Sequence, residues 1–135
     1  MLWQAARLHS EVNAMLTRKM DGDSMLFYEG NTLVLAVVET DLDGGILMAL
    51  QGELRSEVAH HIQDELDAFT TVGVKVTVDF KNVTFVSASA LNALLISQQL
   101  IDSLRQGQIV LRNIPDATYR KMDEIGLTEL LMIED

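Results

Sequence analysis

The chain has 135 residues, 48% of them hydrophobic, with one proline, eight glycines, no cysteine and a formal net charge of −10. That length and apolar content suit one domain that buries its own core and exclude a disordered or fibrous chain. Without cysteine there are no disulfides, thiolate nucleophiles or thiolate zinc sites, and the negative charge gives no support for binding nucleic acid or an anionic lipid surface.

No stretch reaches the roughly 18 apolar residues of a membrane span. The opening MLWQAARLHSEVNAML lacks the basic and long apolar regions of a secretory signal. A cytoplasmic protein without direct membrane insertion is expected, with a partner protein that carries a basic patch.

Residues Leu2 to Met20 read as an amphipathic helix, with Ala5, Leu8, Val12, Met15 and Leu16 at intervals of three and four. DGDS (Asp21 to Ser24) stops it, and a short apolar MLFY leads to the turn-forming EGN. Residues 1–30 are thus expected to form a helical extension, used for packing, self-association as a homodimer or partner docking. The main domain is expected over 31–135.

From Thr32 the pattern turns to β. TLVLAVVET and GILMALQGEL are rich in aliphatic and β-branched residues, and DLDGG between them signals a hairpin. Ser56 to Phe69 places Val58, Ile62, Leu66 and Phe69 on one helical face, with Ser56 as N-cap and Gly73 closing the segment. VKVTVDF (Val74 to Phe80) alternates as a strand. A second helix runs to about Arg105 and ends at Gly107, QIVLRNI is a strand, Pro115 opens a third helix at its first turn, Gly126 closes it, and LTELLMIE ends the chain as a strand. The order β-β-α-β-α-β-α-β, after the extra N-terminal helix, predicts an α/β fold. It is one mixed sheet, a hairpin followed by parallel crossovers, with helices mainly on one face and the other partly open.

Catalytic signals are weak. His60 and His61 are adjacent and so point about 100° apart on a helix, which prevents a shared metal, and His9 lies in the leading segment. DLDGG lacks the later ligands of a calcium loop. Ser87 and Ser89 do not sit in a nucleophile elbow, and no glycine-rich phosphate loop follows a strand. No enzyme activity, cofactor or metal is expected.

The most informative stretch is TFVSASALNALLIS, Thr84 to Ser97, where a strand breaks into a helix through alternating serine and alanine. Ser87 fits the N-cap, where a side-chain oxygen meets an unpaired backbone N–H. Ser89, one position into the first turn and flanked by Ala88 and Ala90, has no obligatory structural role. It reads either as an ordinary first-turn residue or as a regulatory phosphorylation site, a phosphate adding roughly −1.5 to −2 charges there.

With GEL (Gly52 to Leu54), Ala59 and Leu66 in the helix after it, VTVDFKNVTFVSASAL and IGLTELLMI, residues from about Thr32 to Glu134 resemble a STAS domain, the fold of anti-sigma-factor antagonists and of the cytoplasmic tails of sulfate transporters. The resemblance implies a bacterial signalling module acting on transcription. It also implies Ser89 as phosphoacceptor, Leu91 as a buried anchor, and an anti-sigma factor or related serine kinase as partner. Gly52, Glu53, Leu54, Arg55, Asn82, Val83, Thr84, Ser87, Ala88 and Ala90 are the implied partner surface, together with the exposed side of the helix from Ala88 to Arg105. Ser87 stands where the family has aspartate, Ala88 where it has a hydroxyl, Ala90 where it has glycine, and Arg55 where it has aspartate. A constitutive structural STAS subunit of a transporter or signalling assembly is the competing expectation.

Overall fold

The computed structural model describes residues 16–134. Seven strands form one sheet in chain order: β1 (Leu16–Asp21), β2 (Ser24–Glu29), β3 (Thr32–Leu42), β4 (Gly45–Leu54), β5 (Lys75–Val86), β6 (Gln108–Arg112) and β7 (Met132–Ile133). The helices are α1 (Ala59–Thr70), α2 (Ala88–Leu104) and α3 (Asp116–Glu124), with single 3-10 turns at Ser56–Val58 and Leu127–Glu129. Strands β1 to β4 pair antiparallel, and β4 to β7 pair parallel.

The leading segment departs from expectation. Leu16 to Met20, assigned to the end of an amphipathic helix, belong to β1, and MLFY belongs to β2; within DGDS, Gly22 and Asp23 form the turn between them, and Asp21 pairs with Ser24. Apolar residues three and four apart had suggested a helix there, yet Leu16 is held by cross-strand pairing with Glu29 and packs against the core. The element order therefore gains two strands before the expected hairpin. The rest of the proposed helix, residues 2–15, lies outside the described residues.

The β3–β4 hairpin, the three helices and the parallel crossovers follow the sequence pattern. Each crossover steps the same way along the sheet, from β4 to β5 to β6 to β7. Right-handed connections in one direction put their helices on one side. The core lies on that side, where Leu35, Val37, Met48, Leu50, Val76, Val78, Phe80, Ile109 and Leu111 meet Ile62 and Leu66 of α1, Leu91 and Leu94 of α2, and Met122 of α3. Ser97 of α2, fully buried, donates its hydroxyl to Asp67 Oδ1 of α1 at 2.8 Å and keys the two helices together. Each fully buried aliphatic or aromatic side chain is worth about 1.5–3 kcal/mol, against about 0–1 for an exposed ion pair, so this core rather than surface charge fixes the helices.

Several boundaries differ from the sequence reading. Ser56 caps no backbone N–H; its hydroxyl donates to Glu57 Oε1 at 3.1 Å, and the α-helical part starts only after a 3-10 turn. α2 ends on Arg105 in the left-handed region (φ 54°), two residues before Gly107. Pro115 occupies the extended cap position before α3 rather than the first turn itself. LTELLMIE opens with a 3-10 turn, Leu127–Glu129, and only Met132 and Ile133 join the sheet. β5 runs on to Val86 instead of ending at Phe80.

Candidate functional site

That extension of β5 builds the site. The β4–β5 register slips between Gly52 and Glu53, whose partners are Val83 and Phe85. The slip leaves Thr84 as an extra residue in β5. Val83 and Val86 turn inward, while Thr84 and Phe85 both face out, Phe85 with 50% of its surface exposed. Thr84 Oγ1 donates to the Gly52 carbonyl at 3.3 Å across the slip. Gly52 itself has φ 115°, and a Cβ there would run into the Val34 carbonyl oxygen, so the turn of β4 requires glycine.

Beyond the slip the two strands end together. Leu54 pairs with Val86, and its carbonyl accepts the Ser87 N–H at 2.9 Å. Ser87, extended at φ −76° and ψ 158°, is the N-cap of α2: its hydroxyl oxygen accepts the Ala90 N–H at 3.1 Å, and its carbonyl accepts the Leu91 N–H at 3.2 Å. Ala88 and Ser89 are exposed, whereas Ala90 and Leu91 are buried at 3% and 1% exposure. Ser89 thus projects from the opening turn of a helix, beside unpaired backbone donors and the positive end of the helix dipole. Lys121 of α3 donates from Nζ to the Val86 carbonyl at 3.4 Å and brings a positive charge to the same junction.

Arg55 sits at the neighbouring corner. It donates from Nη2 to Glu53 at 3.2 Å and from Nη1 to Glu29, at the end of β2, at 3.1 Å. The hydrogen bond to Glu53 is the main cause that holds its pKa above the ordinary arginine value, with Glu29 adding to it. The Arg55 cation is therefore matched by two carboxylates.

The chain brings the residues expected from sequence to one end of the sheet, at the C-terminal ends of β4 and β5. Glu53, Arg55, Asn82, Thr84, Ser87, Ala88 and Ser89 reach its surface to varying degrees. Leu54, Val83 and Ala90 do not: at 2%, 7% and 3% exposure they face the core and support the rim from beneath, which corrects their reading as surface contacts. Sequence reasoning missed Phe85, Glu29 and Lys121. No periodic signal in the sequence reveals the register slip that turns Phe85 outward. Glu29 and Lys121 reach the rim through tertiary pairing across 26 and 35 residues.

The histidines lie elsewhere, on α1. His60 and His61 stack with ring centroids 3.9 Å apart, and His61 Nδ1 is 3.3 Å from Arg18 Nη1. Burial first, then the charges of His60 and Arg18, lower the His61 pKa. Among the described residues no group of three or more acidic or histidine side chains is placed to hold a metal ion, and no helix is long and apolar enough to cross a membrane.

Comparison with known proteins adds to this geometry. No curated protein matches the chain in sequence. A putative anti-sigma factor antagonist from Thermotoga maritima superposes with a TM-score of 0.65 at 20% identity, over 73% of this chain and 86% of that one. The Bacillus cell fate determinant SpoIIAA in its phosphorylated form gives 0.57 at 15% identity, over 73% and 91%. The murine anion transporter Slc26a9 gives 0.53 at 18% identity, over 96% of this chain but 22% of that chain. At these identities the likeness is one of fold. The family model described as "Mlab, STAS domain" matches residues 38–134, most of the chain, and so the protein belongs to the STAS-domain family.

Proposed function

We propose that the protein is a non-enzymatic, cytoplasmic regulatory module that binds a partner protein at the C-terminal ends of β4 and β5 and is released by phosphorylation of Ser89. The observation that carries this reading is the division between the two serines. Ser87 provides the cap, and Ser89 is left exposed on a helical first turn with no side-chain hydrogen bond among the described residues. The partner is an anti-sigma factor or related serine kinase, and the readout is transcriptional. Its contacts are Gly52, Glu53, Arg55, Asn82, Thr84, Ser87 and Ala88, with the exposed side of α2. Phe85 adds an exposed aromatic ring of the kind enriched at interfaces. A phosphate on Ser89 would bring roughly −1.5 to −2 charges that helix α2 tolerates at its N-terminus but that a docked surface would have to desolvate. The solved phosphorylated form of a protein with this fold supports the reading by likeness.

The test is incubation with the cognate kinase and ATP followed by mass spectrometry. Phosphate is expected on Ser89, and Ser89→Asp is expected to weaken partner capture at least tenfold. A kinase that phosphorylates its other substrates but leaves Ser89 unmodified removes the switch.

One observation favours a second reading, a constitutive STAS subunit of a transporter or signalling assembly. Arg55, paired with Glu29 and Glu53, stands where the resemblance implies aspartate. In that reading Ser89→Asp leaves partner binding unchanged.

A further inference from the structure

Glu39 breaks the alternation of β3. Leu35 and Val37 face the core, and Glu39, next on the same face and opposite the fully buried Met48, puts a carboxylate where another apolar side chain is expected. Its Oε2 is buried without a hydrogen-bond partner among the described residues. The groups that act on it are carboxylates, Glu65 from α1 and Asp23 from the β1–β2 turn, and together with burial they lift its pKa to about 7. Lys75, the cation beside Gly45, lines a different cavity with Asp43, Thr77 and Arg112. An acid held in this way costs stability, and an unsatisfied group of this kind in a cleft is a feature of binding sites.

The cleft is present. Asp23, Glu39, Thr40 and Asp41 open on Ile46 and Phe69 around a volume of about 400 Å³, and a second hollow of about 370 Å³ shares Asp41, Ile46 and Phe69 and continues past Val74, Gly44 and Gly45. The two form one groove with an apolar floor and an acidic wall, between the C-terminal end of α1 and the tip of the β3–β4 hairpin. Among the described residues these acids make no ion pair, and no group of three or more of them is placed to hold a metal ion. Carboxylates spread along an apolar floor suit a longer cation.

We propose that this groove takes an arginine-bearing basic segment of a partner protein, with the guanidinium paired to Glu39 and Asp41 and the aliphatic stem laid on Ile46 and Phe69. Charge complementarity selects the occupant. In a chain of net charge −10 the ionised wall offers only acceptors, to which a planar guanidinium donates through several N–H groups while its stem and face pack on apolar and aromatic surface. Lysine has the stem but lacks the fork, and nucleic acid or anionic lipid is repelled by the same wall. The groove lies at the other end of the sheet from Ser89, so this contact does not depend on modification there.

The test is an NMR titration of the full isotope-labelled chain with acetyl-Gly-Arg-Gly-Arg-Gly-amide, beside the same peptide with citrulline for arginine, free L-arginine and calcium chloride. At pH 8 the arginine peptide is expected to give saturable shifts confined to Asp23, residues 39–46, Phe69 and Val74, and the neutral citrulline peptide to bind about tenfold more weakly. Pairing with a cation favours the ionised form of Glu39, so affinity for the arginine peptide is expected to fall from pH 8 to pH 6 in the parent, and to be weak without that fall in Glu39→Gln. Asp41→Asn, on the exposed lip, is expected to weaken binding as well and covers a local rearrangement in Glu39→Gln. Shifts spread over the whole acidic surface, undiminished binding by both variants, or equal binding of the citrulline peptide overturns the proposal. Equally tight binding of free L-arginine would assign the groove to a small molecule, and saturation of the same residues by calcium would assign it to a metal ion; each of these also overturns it.

Discussion

The hydroxyl oxygen of Ser87 accepts the backbone N–H of Ala90 at 3.1 Å, and this bond separates the roles of two serines that look alike in the sequence. Loss of an N-cap costs about 0.5–2 kcal/mol. Ser87→Ala is therefore expected to lower the urea midpoint by the equivalent of about 1 kcal/mol. Ser89→Ala, at an exposed position, is expected to stay within about 0.5 kcal/mol of the parent. Equal losses in the two variants would mean that Ser89 is held by the fold and not left for modification.

Gly52 tests whether the register slip shapes the rim. Its φ of 115° and the close Val34 carbonyl leave no room for a side chain. Gly52→Ala must either strain the backbone, at about 1–3 kcal/mol, or push β4 away from β3. Both displace Thr84, which donates to the Gly52 carbonyl. Denaturation should show a loss of about 2 kcal/mol or more, and chemical shifts of Thr84 and Phe85 should move while those of α3 stay in place.

Much of the fold was legible because burial imposes its period on the sequence. Alternation in Lys75 to Phe80 and the three-four spacing of Ile62, Leu66 and Phe69 follow from a sheet with one face under helices. The Ser87 cap was legible as well, since capping needs only residues close in sequence. What stayed hidden depends on pairing at a distance. The stretch from Leu16 to Met20 satisfies a helical pattern and becomes a strand because β2 offers it a ladder. The outward turn of Phe85 comes from a one-residue slip against β4. The capture of Arg55 by Glu29 needs β2 to lie where no local pattern puts it.

Arg55 is held by two carboxylates but remains partly exposed, so its contribution to stability is small. Arg55→Ala is expected to cost no more than about 1 kcal/mol. Arg55→Asp should cost more than Arg55→Ala, because it sets a third carboxylate beside Glu29 and Glu53, and that excess should shrink as salt is added. Denaturation of both variants at low and high ionic strength checks this. An excess that does not respond to salt would mean that Arg55 acts through packing of its aliphatic stem.

At the opposite end of the sheet, Glu39 of β3 lies among acids: Glu65 of α1 and Asp23 of the β1–β2 turn are near, and its Oε2 is buried without a hydrogen-bond partner among the described residues. Burial first, then the Glu65 and Asp23 carboxylates, push its pKa from 4.5 up to about 7. For an acid this shift means that the folded protein holds the proton more tightly than the unfolded chain. Between pH 4.5 and about 7 the native state binds more protons, so stability falls as pH rises through that window and stays lower above it. Glu39→Gln removes the ionisation while keeping the shape. It is expected to raise the urea midpoint at pH 8 and to change it little at pH 5, where wild-type Glu39 is already mostly protonated. The same gain at both values would trace the effect to packing. No gain at pH 8 would mean that water or a counter-ion already compensates the Glu39 charge.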